Sequence, residues 1–146
     1  MGLDPKTDIV DSQWIVCGPE WFALVVKDRE TMMRANSSPT EESKKLMWGI
    51  VARYPQDQIK DSATDPLFEV RTFPHAINVT EDSVCGSFNA GMAQWPAGSE
   101  LMPQSYVSLQ GAVLGRQGKI YANRDETGKI WIGGQTVVCI QGTVVI

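Results

Sequence analysis

Cysteine is scarce and odd in number: Cys17, Cys85 and Cys139 are the only three. Thiols so few and so far apart suit free side chains in a reducing compartment rather than a disulfide framework. With a single histidine and no CxxC pair, the donors of a structural zinc site are missing, and no metal is expected. The apolar runs fall far short of the roughly 20 residues that cross a bilayer, and no secretory hydrophobic region is present. A cytoplasmic protein with no membrane partner is the expectation. Basic charge is also short: 13 Lys and Arg stand against 17 Asp and Glu, with a pI near 4.9. No Lys/Arg stripe is present to displace counterions from a phosphate backbone, so nucleic acid is not an expected partner.

What is present is an ordinary globular composition, 42% hydrophobic and 21% charged over 146 residues, long enough for one domain with a substantial core. Residues 9–27 alternate and are rich in β-branched and aromatic side chains around Gly18-Pro19, which predicts two strands and a turn. Asp28 is placed to cap a short helix through Ala35, and Ser38 with Pro39 to open a second through Leu46. A strand is predicted over 48–54, a polar loop over 55–65 and a strand over 68–73, with Phe68, Val70 and Thr72 on one face and Glu69, Arg71 and Phe73 on the other. From Gly86 a helix is predicted with Phe88, Met92 and Trp95 on its apolar side and Pro96 limiting its length. The remainder reads as strands and turns: SYVSLQ, AVLGR, KIYANR, KIWIGG and TVVCIQGTVVI, with a hairpin turn at 125–128. One mostly apolar helix among many antiparallel strands predicts an α+β domain, a sheet curled around a central helix.

The most informative stretch is 68–91, FEVRTFPHAINVTEDSVCGSFNAG. It runs an alternating strand into two carboxylates, Glu81 and Asp82, then a thiol, Cys85, and the pair Gly86-Ser87 at a predicted helix start. Helix N-termini carry unpaired N–H groups and a positive dipole end, which favour a carboxylate or other anion. An adjacent acid and thiol can then move a proton on the bound molecule.

The blocks E-V-R-x-F and E-D-x-x-C-G-S, followed by Tyr106-Val107-Ser108-Leu109-Gln110-Gly111, Leu114-Gly115-Arg116 and Ile132-Gly133-Gly134, resemble in order and spacing the phenazine-biosynthesis isomerase (PhzF-like) family, which shares its fold with diaminopimelate epimerase. The resemblance runs from about Asp8 onward and covers the second of that family's two similar domains. The N-terminal domain, which supplies the family's catalytic glutamate, has no counterpart in this sequence. The resemblance implies a β-barrel-like roll around one helix, and isomerisation by proton abstraction and return at carbon without metal or organic cofactor.

Residue by residue, the resemblance puts Asp82 in the active-site cleft as the group that takes a proton or orients the substrate; the alternative is that Asp82 caps a turn or the helix. Gly86 and Ser87 match the pair whose backbone and hydroxyl contact the substrate, against the plainer role of first-turn residues. Cys85 stands where epimerases of this fold carry an acid–base cysteine, against that of a small buried thiol. Glu81 is expected to support the site by hydrogen bonding or to lie exposed, and Arg71 to form a structural ion pair with Glu69 or Glu81. His75 matches no catalytic position and is read as a loop residue. Gln110, Gly111 and Arg116 match a block beside the cleft. Asn78 stands where glycine is common, which suggests a left-handed turn, and Phe88 is bulky enough to narrow a pocket.

Two functional classes follow. One is a half-enzyme acting on a small-molecule carboxylate ligand, its site completed by a second copy in a homodimer or by a separately encoded N-terminal half. The other is a non-catalytic binding domain or remnant that keeps the fold and dimerises.

Overall fold

The computed structural model describes residues 1–61, 63–95 and 103–145. Seven strands form one mixed sheet in sequential order: β1 (Ile9–Val16), β2 (Glu20–Val26), β3 (Met47–Arg53), β4 (Pro66–Pro74), β5 (Ser105–Gln110), β6 (Gly118–Arg124) and β7 (Ile130–Gly134). Two helices, α1 (Arg29–Met33) and α2 (Gly86–Ala93), complete an α+β domain. The sheet departs from the antiparallel expectation at two places, since β2–β3 and β4–β5 pair in parallel. A parallel pair needs a crossover, and each helix lies in one. Because β2 and β4 run in opposite directions, right-handed crossovers to the next strand put α1 and α2 on opposite faces.

Those faces carry two cores. On the α2 side Phe68 and Val70 of β4 join Trp21, Phe88, Met92 and Trp95; on the α1 side Phe73 joins Trp48, Ile50 and Met32. The period of two along β4 therefore divides its side chains as the alternation predicts. Phe88 does not narrow a pocket. It is fully buried, and its ring stands where a Cβ on Gly49 would fall, 2.5 Å away, so β3 needs glycine at this point.

Asp28 caps α1, its Oδ1 accepting from the Thr31 amide at 2.7 Å, as its residue type predicts. The second helix expected before β3 shrinks to a 3-10 turn over Ser43–Lys45. There Thr40 and Ser43 exchange side-chain and backbone hydrogen bonds at 2.8 and 3.2 Å, the reciprocal pattern that opens a helix, but the chain turns extended at Leu46 and enters β3 after a single turn. Asn78 adopts the left-handed conformation, φ 60°. The AVLGR run expected as a strand is a 3-10 turn over Ala112–Leu114, flanked by left-handed Gly111 and Gly115. The last run, from Thr136, makes no strand through residue 145, and its end, Ile146, lies outside the described residues, as does Pro96. No helix is long and apolar enough to cross a membrane among the described residues.

Candidate functional site

Beyond β4 the chain turns through His75–Ile77 and Asn78 and returns beside the end of the strand, where the Asp82 amide donates to the Thr72 carbonyl at 2.9 Å. Two clamps hold this return. Arg71 meets both oxygens of Glu81 at 2.9 Å, with the two side chains only 3% and 4% exposed; its remaining guanidinium nitrogen donates to the Met32 and Ala35 carbonyls at 2.8 and 3.1 Å. One cation thus closes the end of α1 and pins the loop. Glu69, the other carboxylate of the strand face, instead accepts from Tyr54 and Arg29, and burial, with help from Glu69, pushes the Tyr54 phenol up to about 12.

The second clamp is Gln110, on β5. Its Nε2 donates to Thr72 Oγ1 at 2.8 Å and to the Asp82 carbonyl at 2.9 Å. Its Oε1 accepts from the Cys85 amide and from Asn89 Nδ2, both at 3.2 Å. Asn89 also donates to the Cys85 carbonyl at 2.9 Å and accepts from Ser108 Oγ at 2.7 Å. Thr72, Asn89, Ser108 and Gln110 are all within 1% of full burial, so apart from the half-buried bond to the Asp82 carbonyl this set is made away from water, where losing one bond is expensive.

On that foundation sit the candidate residues. Asp82 is half-buried, and its Oδ1 accepts from the Val84 amide at 3.3 Å, a turn motif typical of aspartate. Cys85 is the N-cap residue of α2, and its side chain caps no first-turn amide; its buried sulfur instead shares a hydrogen bond with Ser87 Oγ at 3.5 Å. Ser87 accepts from the Trp21 indole at 3.3 Å, which ties the hydroxyl to the core and leaves its proton to be donated. Gly86 is exposed and faces open space. The loop before it is packed closely: a Cβ on Gly111, whose φ is 94°, would lie 2.7 Å from the Ser83 carbonyl, and one on Gly118 2.2 Å from Val84.

The structure therefore groups Asp82, Cys85, Gly86 and Ser87 around the start of α2, while Glu81 is turned into the ion pair with Arg71. His75 is not a loose loop residue. It is 2% exposed, with Nδ1 facing Ser43 Oγ at 2.9 Å and Nε2 facing the Ser37 and Thr80 carbonyls at 3.1 and 3.2 Å, so the hydrogen sits on Nε2. Gln110 bonds to the backbone of Asp82 and Cys85; sequence reasoning assigns no such role to Asn89, Ser108 or Thr72. Their signal lay in the pattern, since Tyr106, Ser108 and Gln110 share the inward face of β5 and a polar pair on such a face needs partners.

A groove of about 730 Å³ bordered by Gln104 and residues 123–128 lies at the opposite end of β6 and includes none of the candidate residues. Among the described residues, no group of three or more His, Cys, Asp or Glu side chains is arranged to hold a metal ion. Chemically, the start of α2 offers backbone donors for an anion beside a carboxylate able to exchange a proton. A family model described as phenazine biosynthesis-like protein matches residues 3–142. No curated protein matches the chain.

Proposed function

Because the chain belongs to the phenazine biosynthesis-like protein family, we propose that it isomerises or epimerises a small carboxylate-bearing metabolite by moving a proton at carbon. The substrate carboxylate sits on the amides of Gly86 and Ser87. Asp82 carries the proton, Cys85 serves as the second acid–base group, and Glu81 supports the loop through Arg71. The observation that supports this most is the pairing of an open, uncapped helix start at Gly86 with a half-buried carboxylate four residues earlier, both fixed by a buried network that needs no rearrangement on binding.

In the same reading the sheet is a roll around α2, since the helix touches β1 and β2 at one side of the sheet and β6 and β7 at the other. The open side at Gly86 is completed by a second chain, and exposed Val84, Val113 and Leu114 supply an apolar rim for it.

Deuterium uptake into candidate amino and hydroxy acids in heavy water tests the chemistry. Exchange that falls by about 10²–10⁴-fold in Asp82→Asn matches the loss of a general acid–base group. A second reading, binding without turnover, is favoured by the occupation of Glu81 by Arg71 and of Ser87 by Trp21. Saturable carboxylate binding with no exchange across the panel would select it.

A further inference from the structure

The segment after β7 is the least accounted-for part of the molecule. Val137, Val138, Ile140, Val144 and Val145 are between 80% and 100% exposed, although aliphatic β-branched residues are those most enriched in buried strands. Residues 135–145 carry no charge. In extended form, Val138, Ile140 and Val144 fall on one face with Gly142, and Val137, Cys139 and Val145 on the other. Apolar side chains on both faces mark a strand meant to be covered on both sides. The family match includes this segment as far as residue 142, so it is part of the shared pattern.

The sheet has a place for such a strand. β1 is an edge strand, and Val10, Trp14 and Val16 along it are 60%, 55% and 55% exposed. Among the described residues its free edge meets makeshift contacts: the Val16 carbonyl accepts from the Gln94 side chain at 3.3 Å, and the Ser12 amide donates to its neighbour Asp11 at 2.7 Å. These show that even-numbered residues of β1 turn their peptide groups outward, Trp14 among them, as the alternation of an antiparallel pair requires. Beside this edge, Gln13, Trp14, Ile15 and Val16 border a cleft of about 190 Å³ with Gly91, Gln94 and Trp95 of the α2 region. A strand laid there would find one wall of helix and one of sheet.

We propose that residues 136–145 of one chain add as an eighth strand to the free edge of β1 in a second copy of the same chain, and that the two copies exchange these strands reciprocally. Within its own chain the segment leaves β7 without covering Trp14 or Val16, which is why a second copy is the occupant. In the exchange Val138 and Ile140 enter the cleft beside Gly91 and Trp95. Backbone N–H groups take over the carbonyl now held by Gln94, and Val137 and Val145 lie against Trp14. The twofold arrangement is isologous and closed, so it ends at a dimer instead of growing into a fibre, and it covers the β1 edge of each copy. Two ten-residue strands laid on two edges bury on the order of the 1,200–2,000 Å² typical of a stable interface. The inference goes beyond the proposed function, since the exchanged strand meets the far end of α2, at Gly91 and Trp95, and not the Gly86 end.

Light scattering on the full chain, with hydrogen exchange followed by mass spectrometry across a dilution series, tests it. The expected result is a particle of about twice 16.1 kDa, with protection of residues 136–145 and of β1 that disappears together on dilution. Ile140→Pro, which removes a ladder donor, is expected to weaken the dimer by 100-fold or more while β3 and β4 keep their protection. Cys139→Pro provides the second variant: its amide faces the opposite way along the strand, so one of the two substitutions removes a ladder donor whichever way the strand is turned. A dimer unmoved by either substitution overturns the proposal. So does a monomer, whether its tail exchanges freely, pairs with its own β1 independently of concentration, or becomes protected only by another protein. Mass and deuterium uptake are separate readouts, so a monomer that still exchanges a carbon-bound proton rejects strand exchange and completion of the site by a second chain, and leaves the proton chemistry standing.

Discussion

Gln110 has two N–H hydrogens and two acceptor positions, and all four are used, on Thr72, Asp82, Cys85 and Asn89. Replacing it by leucine keeps much of the volume but leaves several buried polar groups without partners, each costing about 1–3 kcal/mol. Gln110→Leu is expected to lower unfolding stability by about 3 kcal/mol in urea titrations, more than Asn89→Ala, whose loss also opens space for water. An effect below about 0.5 kcal/mol would mean that the network is not what holds the site. Asp8 makes a different kind of prediction. A backbone hydrogen bond from Asp4, then Lys27 and Arg34, hold its carboxyl down to about 2 against an ordinary 3.8. Its folded form therefore prefers the charged state, so the stabilisation is complete above the unfolded value near 4 and is lost as pH falls from there towards 2. In Asp8→Asn that part of the acid dependence is expected to disappear from melting curves taken between pH 5 and 2.

Between β4 and α2 the return loop is an anchor made of opposite charges. Arg71 and Glu81 are both almost fully buried, and removing one leaves the other uncompensated at a cost of about 3–5 kcal/mol. Glu81→Leu is expected to destabilise the fold by that amount in denaturant titration, and Arg71→Met with Glu81→Leu together by clearly less, because the pair repays part of its own desolvation. A double variant as destabilised as Glu81→Leu alone, or more so, would contradict this. Much of the element was legible beforehand. Asp28 before a helix, alternation along β4, the apolar side of α2 and Asn78 as a left-handed residue each rest on local sterics or periodicity, which the chain states directly. Parallel pairing was not legible, because β-branched runs look alike whatever their neighbour's direction. AVLGR reads as a strand for a related reason: Gly111 and Gly115 are visible in the sequence, but only their positive φ values turn an apolar run into a tight turn. Arg71 could be narrowed to an ion pair but not assigned between two carboxylates, since that depends on a loop of ten residues closing back on the strand. The composition of the tail predicts a strand, and the described residues of the single chain offer it no pairing partner.

For the assembled protein, the exposed rim of Val84, Val113 and Leu114 and the proposed exchange of tails make distinct claims about association. Val113→Lys is expected to disturb association through repulsion across the rim without altering protection of residues 136–145 at high concentration. Ile140→Pro is expected to remove both. Sedimentation of the two variants side by side, with hydrogen exchange on each, separates rim contacts from strand pairing. If Val113→Lys abolishes tail protection at every concentration, the rim and the tail belong to one inseparable interface.

The ring of hydrogen bonds around Gln110 links residues from 72 to 110, and the strand that carries it pairs in parallel with β4 only after the chain has crossed over through α2. Such non-local closure is slow compared with the hairpins on either side. During synthesis, then, the loop bearing Asp82 emerges well before the residue that will hold it. A ribosome-bound chain stalled just after α2 has every side chain of the candidate site and none of its geometry, so ligand binding by stalled chains of increasing length should switch on only once β5 has cleared the exit tunnel.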